Sequence, residues 1–261
     1  MKQFTDHDIY LTPKKKISFI ARIFPGLVFY PKMAHVVLRA SRACKRGVYS
    51  EMLWIRDSLD IIRALESVGV KITIENLYIL KKILPPCVFI GNHMSTLETF
   101  VLPSIIQSHM DVTFIIKKEL TQYPVFKHIM TDRNPVVVTR KNAREDFKTV
   151  MEEGVKRLKN KISIIIFPQT TRRNLFDKKK FNTIGIKLAR EAAVPVVPFA
   201  IRTDAWGVGK IIKDFGKIDP KKPVRISFGN PLSISGNGKR EHLLVIEFIS
   251  DKLRSWGIEV V

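Results

Sequence analysis

The chain has 261 residues, 45% of them hydrophobic, enough for one large or two small domains with a full core, which argues against a disordered chain. Lys and Arg number 45 against 24 Asp and Glu, a formal charge of +21, so the partners to expect are polyanions: nucleic acid or the anionic face of a membrane. The two cysteines, Cys44 and Cys87, lie far apart in no metal spacing; this fits a reducing compartment, with Cys87 in an apolar run as a core residue.

The start, MKQFTDHDIYLTPKKK, carries acidic residues and no apolar core, so it does not resemble a signal peptide. No uninterrupted run of 18 apolar residues follows, which predicts no conventional spanning helix. Residues 17–43, ISFIARIFPGLVFYPKMAHVVLRASRA, are the most apolar part of the chain. Lys14, Lys15 and Lys16 precede them, and Arg39, Arg42, Lys45 and Arg46 close them. Pro25 and Pro31 are expected to break the segment into helical pieces. Such pieces could lie in a membrane interface with Phe19, Phe24, Phe29 and Tyr30 downward and the basic stems reaching the phosphates. The competing expectation is a pair of core-packing helices.

Residues 50–68 have Met52, Ile55, Leu59, Ile62 and Leu65 at spacings of three and four, with Ser50 to cap and Gly69 to end, which predicts an amphipathic helix. From Gly69 onward strands and helices alternate. Strands are predicted at 70–75, 87–91, 112–117, 135–139, 162–167, 195–200 and 223–228. Helices are predicted at about 95–108, 123–131, 143–158, 182–192 and 239–255. The expected fold class is α/β, a mostly parallel sheet flanked by helices, with residues 1–49 an N-terminal amphipathic helical membrane-binding segment and residues 50–261 a catalytic α/β domain.

Ligands in such sheets bind beyond the carboxyl ends of the strands. The stretch GNHMSTLETF, residues 91–100, puts His93 at such an end, with Gly91 to permit a tight turn. Glu98 follows in the first turn of the next helix. Two helical residues five apart diverge by about 140°, so the pair can meet only if His93 stays in the loop and its ring folds back. Glu98 could then fix the tautomer at one ring nitrogen and leave the other to take a proton from a hydroxyl. Ser95 is too close to His93 in sequence to serve as a nucleophile and has no G-x-S-x-G elbow, so the pair resembles a general base for a substrate hydroxyl.

A second segment, ISIIIFPQTTRR at 162–173, runs from an apolar strand into Arg172 and Arg173, whose guanidinium forks suit a phosphate. Arg140 lies at the end of another predicted strand, and Lys117 and Lys118 at the end of a fourth. Taken singly, each cation reads more readily as a solvated surface charge; their repeated position after apolar strands brings the binding reading level with it.

These segments, in this order, resemble the glycerolipid acyltransferase family, the group that contains 1-acylglycerol-3-phosphate acyltransferases. The His-x-x-x-x-Asp block is similar to His93 through Glu98, the Ile-Asp-Arg block to Val138-Thr139-Arg140, and the Phe-Pro-Glu-Gly-Thr-Arg block to Phe167 through Arg172. The Pro-x-x-Pro block is similar to Pro195 through Pro198, and the late Phe-Gly-x-Pro turn to Phe228 through Pro231. The resemblance implies acyl transfer from an acyl thioester, acyl-CoA or acyl carrier protein, to the hydroxyl of a lysophospholipid acceptor, with lysophosphatidate as first choice. It implies His93 as base, Glu98 as its orienting acid, and Arg140 and Arg172 on the phosphate with help from Lys117. The loop of Gln169, Thr170 and Thr171 would contribute substrate contacts and backbone donors for the oxyanion. No cofactor and no metal is implied.

Three departures stand out: Glu98 for Asp, Gln169 for Glu, and Thr170 for Gly. The first adds a methylene that the loop must absorb; the other two put the acceptor headgroup in question, although Arg172 still favours a phosphate. The expected location is peripheral or monotopic on an anionic membrane surface, at the cytoplasmic face. A basic nucleic-acid-binding protein fits the charge, but no binding motif accompanies it, so no nucleic acid is expected as partner. A non-catalytic lipid-binding relative fits the altered third block.

Overall fold

The computed structural model describes residues 4, 8–123, 126–169, 171–209 and 213–261. Among them an 8-stranded sheet runs in the order β1-β2-β8-β7-β3-β6-β4-β5. The strands are β1 (Tyr10–Leu11), β2 (Ile72–Glu75), β3 (Val88–Gly91), β4 (Val112–Lys117), β5 (Val136–Val138), β6 (Ser163–Ile166), β7 (Val196–Arg202) and β8 (Val224–Phe228). From β7 through β3, β6 and β4 to β5 every neighbour is parallel, as is β2 to β8; β1 to β2 and β7 to β8 are antiparallel.

The central parallel strands β3, β6 and β7 are buried on both faces, so successive side chains feed two cores. Phe89, Ile165 and Val197 enter a core shared with α2 (Pro25–Lys45), α3 (Glu51–Ser67), α4 (Tyr78–Lys82) and α5 (Leu97–Ile106). Val88, Ile90, Ile164, Ile166 and Val196 enter the opposite core with α7 (Ala143–Lys159), α8 (Ile184–Glu191) and α9 (Lys239–Ser255). Local signals set the helix ends. Ser50 Oγ accepts from Leu53 N to start α3, Asn142 Oδ1 accepts from Arg144 N and Glu145 N to start α7, and Lys156, Arg157 and Lys159 sit in the last turn of α7.

All seven strands expected from sequence are present, displaced by a residue or two at some ends. The two-residue β1, the single-turn α4, a 3-10 turn at Lys118–Thr121 and α6 (Phe126–Asp132) complete that half of the molecule.

The N-terminal segment divides in a way that neither sequence expectation described. Helix α1 (Phe19–Ile23) is capped by Ser18, and the chain breaks at Phe24 before Pro25 opens α2. Pro31 does not break α2, which continues to Lys45. The residues that hold α2 to the body, Phe29, Met33, Val36, Val37 and Ala40, are buried, while Leu27 and Pro31 lie on the exposed side, where a carbonyl left without its donor can meet water. Phe29 therefore does not face outward: its ring packs edge-on against Trp206 at 5.0 Å. Arg39 is likewise taken inward, in an ion pair with Asp57 and one of 2.7 Å with Asp60. What remains outward is Phe19, Ile20, Ile23, Phe24 and Leu27, with Phe19 76% and Leu27 70% exposed. Among the described residues no helix is long and apolar enough to cross a membrane.

Candidate active site

Strand β3 ends at Gly91, and the loop from Asn92 to Thr96 leads into α5. Gly91 has no positive φ; its reason is close approach, because a Cβ there would lie 2.3 Å from Phe199 Cζ on the adjacent strand. Asn92 clamps the loop to β7, donating to Ile201 O at 2.8 Å and accepting from Ile201 N at 2.9 Å. The next residue, His93, is in the loop, and its ring folds back onto the first turn of α5 as the spacing demanded. His93 Nδ1 lies 2.7 Å from Glu98 Oε2.

Glu98 is fully buried and takes four donors. Its Oε1 accepts from Met94 N at 3.0 Å, from Ser95 N at 2.7 Å and from the Thr203 hydroxyl. Those bonds fix the carboxylate, so its second oxygen can hold one imidazole nitrogen and leave Nε2 as the acceptor. The ring stacks on Phe167 with centroids 4.5 Å apart. Ser95, buried, is spent as a local cap, its Oγ accepting from Leu97 N at 3.1 Å.

The third block wraps the same loop. Gln169 is buried and its Oε1 accepts from His93 N at 2.8 Å, while Arg173 N donates to His93 O at 3.1 Å. Gln169, expected as a substrate contact, thus anchors the His93 backbone. Thr171 is exposed, with its hydroxyl 3.4 Å from Arg173 Nε. Thr170 lies outside the described residues.

The strand order β3-β6-β4-β5 sets the four expected strand ends side by side. Lys117 closes β4 with its Nζ 2.9 Å from Glu119 Oε2, a contact that holds the Glu119 carboxyl below its ordinary pKa. Arg140 follows β5 with φ at 57°, in the left-handed region that non-glycine residues seldom adopt. Asp146 supports that turn, its carboxylate accepting from Thr139 N at 2.7 Å and from Arg140 N at 2.6 Å. Although the Arg140 side chain has accessible surface, desolvation lowers its pKa, and the like charge of Arg172 acts in the same direction against Glu119 and Asp146. It stays charged at neutral pH. Arg172 Nη1 lies 2.6 Å from Asp214 Oδ1 and bonds the Thr96 hydroxyl.

His93, Lys117, Arg140, Gln169, Thr171 and Arg172 all line one cavity of about 1030 Å³. That is the top of the range of about 300–1,000 Å³ usual for small-molecule sites. Its apolar walls include Trp54, Ile61, Phe100, Phe114 and Phe126 from α3, α5, β4 and α6. A hydrocarbon chain and a charged group could therefore share one space, the first against the aromatics and the second at the strand ends. Sequence reading missed Thr96, Thr203, Glu119 and Asp214. Thr96 stood inside the quoted motif, whereas Thr203 and Asp214 come from the far side of the chain and carry no local signal. Among the described residues, no group of three or more His, Cys, Asp or Glu could hold a metal ion.

Comparison with known proteins adds three findings. A family model described as Acyltransferase matches residues 71–202, just over half of the chain. The chain is similar to a 1-acyl-sn-glycerol-3-phosphate acyltransferase of Pseudomonas aeruginosa, 26% identical over 176 residues, which are 67% of this chain and 64% of that protein. A protein of the same name from Cocos nucifera is 27% identical over 147 residues, 56% of this chain and 45% of that one. The chain thus matches less than two thirds of the length of these relatives. Its fold is that of the crystal structure of the 1-acyl-sn-glycerophosphate acyltransferase PlsC from Thermotoga maritima, with a TM-score of 0.70 at 18% identity, covering 90% of this chain and 96% of that one.

Proposed function

The chain belongs to the acyltransferase family, and from that membership we propose that it moves an acyl group from an acyl thioester to the free hydroxyl of a lysophospholipid, with 1-acyl-sn-glycerol 3-phosphate as the first-choice acceptor and phosphatidate as product. The observation that carries the reading is the His93–Glu98 contact of 2.7 Å opening into the cavity that Arg172 also lines. The names of the relatives support the same acceptor.

In this reading Glu98 keeps the proton on His93 Nδ1, and Nε2 removes the proton of the acceptor hydroxyl. The oxygen attacks the thioester carbonyl and forms a tetrahedral oxyanion, for which backbone N–H groups of the loop around Gln169 and Thr171 are the candidate donors. Collapse breaks the carbon–sulfur bond, and the imidazolium returns its proton to the leaving thiolate. Arg172 and Arg140 hold the phosphate, with Lys117 at the rim, while the acyl chain lies against the aromatic wall. Either acyl-CoA or acyl carrier protein can supply the thioester, and the steps at His93 require no metal or cofactor.

Residues 1–49 keep their proposed role as the membrane-facing segment and residues 50–261 that of the acyltransferase domain. The burial of α2 narrows the surface role to α1 and the first turn of α2, whose exposed Phe19, Phe24 and Leu27 stand near Lys14, Lys15, Lys16 and Arg22. An anionic membrane at the cytoplasmic face is the proposed partner, because it would draw in the +21 chain and deliver both lipids to the site. The reading is tested by offering the purified protein a panel of lysolipids with labelled acyl-CoA and acyl-carrier-protein donors. Labelled phosphatidate is the expected product, and no labelled phospholipid from any pair would end the proposal.

A further inference from the structure

The arginine assigned to the acceptor's phosphate already has an anion. Asp214 Oδ1 lies 2.6 Å from Arg172 Nη1 and accepts from the Thr96 hydroxyl at 2.8 Å, closing a three-membered cluster at the rim of the cavity. Both charged side chains are about three-quarters buried, 24% and 23% exposed, so water and salt screen the pair less than an open surface pair.

The backbone around Asp214 is held in place from several sides. Trp206 Nε1 donates to Asp214 O at 3.1 Å, and the Phe215 ring packs against Tyr30 of α2 at 5.7 Å. The Tyr30 hydroxyl donates to Gly216 O, and burial raises its pKa to about 12, so it remains a donor. Gly216 itself is pressed against Gly207, whose carbonyl oxygen would lie 1.8 Å from any Cβ at 216. Asp214 is therefore a positioned acid in a chain whose charge is otherwise strongly positive.

We propose that Asp214 is an intramolecular competitor for the phosphate of the acceptor, and so a specificity-determining residue of the site. The inference rests on the reading of Arg172 as the phosphate-binding residue. Asp214 and Thr96 occupy Nη1 of Arg172, so a phosphate monoester has to share the guanidinium with a carboxylate and brings its own negative charge against it. It binds only by displacing Asp214 or by tolerating the repulsion, so affinity for the phosphate is set below what the guanidinium alone would give. Neutral parts of the acceptor gain and lose nothing by this competition.

Asp214→Asn keeps the shape of the side chain and an acceptor for Thr96 while removing the charge. The test is titration calorimetry of the full chain in detergent with sn-glycerol 3-phosphate as probe and glycerol as uncharged control. D214N should bind the phosphate probe about tenfold or more tightly than the native chain, with glycerol unaffected. The gain should vanish in the D214N/R172A double variant. Equal or weaker binding by D214N, no detectable binding by either protein, or a gain that survives loss of Arg172 overturns the proposal. Tighter binding by D214N, together with a native chain that transfers no acyl group, would keep this inference and end the acyl-transfer reading instead.

Discussion

Glu98→Gln tests the dyad more sharply than deletion of the histidine, because the structure dictates how the amide must sit. Met94 N, Ser95 N and the Thr203 hydroxyl converge on Oε1, and all three are donors. An amide nitrogen turned toward them would face three hydrogens, so the amide oxygen takes that place. The amide nitrogen then faces His93 Nδ1, 2.7 Å away in the native pair, and it can only donate. The ring proton moves to Nε2, the nitrogen that must be bare to accept from the substrate. The same exchange of acid for amide in the serine-protease triad lowers turnover about ten-thousandfold, about 5 kcal/mol of barrier. Because three of the four bonds are unchanged and the fourth is reversed without its charge, the stability cost should be on the order of 1 kcal/mol, about 2–4 °C in Tm for a chain of this size. The assay is initial-rate transfer of labelled acyl groups from acyl-CoA to lysophosphatidate, with thermal unfolding followed in parallel. A folded E98Q protein within tenfold of native turnover would refute the tautomer argument.

Arg172→Ala should raise KM for lysophosphatidate by about 10- to 150-fold, the loss of a charged hydrogen bond of about 1.5–3 kcal/mol; an unchanged KM removes the arginine from the phosphate. Gly91→Ala should lower the denaturant midpoint at unchanged m, since a Cβ 2.3 Å from Phe199 Cζ overpacks the β3–β7 contact, a cost of about 1–3 kcal/mol. Replacing Phe19, Phe24 and Leu27 together by Ser should release the protein from anionic vesicles in a flotation assay while leaving Tm unchanged, because those side chains are exposed. Retention on the vesicles would put the membrane contact elsewhere. Truncation of the whole segment would not serve, because it removes Phe29 and Met33 from the core.

The central strands were legible because buried parallel strands are continuous apolar runs, and CVFIG, VTFIIK and ISIIIF each have charge or turn residues at their ends; VKITIE was legible from its alternation of apolar and polar residues. The His93–Glu98 contact was legible as a condition on geometry, and the fold meets that condition by keeping His93 in the loop. What pattern could not supply is spatial neighbourhood. That β6 lies between β3 and β4 follows from long-range pairing, and it is this order that brings Arg172 beside His93. Gly91 looked like a turn residue because its reason, the Phe199 ring, is more than a hundred residues away. Pro31 looked like a helix breaker, but the burial of Phe29, Met33, Val36 and Val37 on the other side of α2 outweighs one missing hydrogen bond. Cys87 met expectation: it is fully buried, and desolvation pushes its thiol up to about 12, so it is packing and not chemistry.

The central claim is that the bare nitrogen of His93 takes the proton of a lipid hydroxyl. Single-turnover transfer from labelled acyl-CoA to lysophosphatidate by native and His93→Ala protein, matched for folding and for vesicle binding, addresses it directly. The account predicts labelled phosphatidate from the native chain and none above the uncatalysed background from H93A. Phosphatidate formed by H93A at the native rate would contradict it.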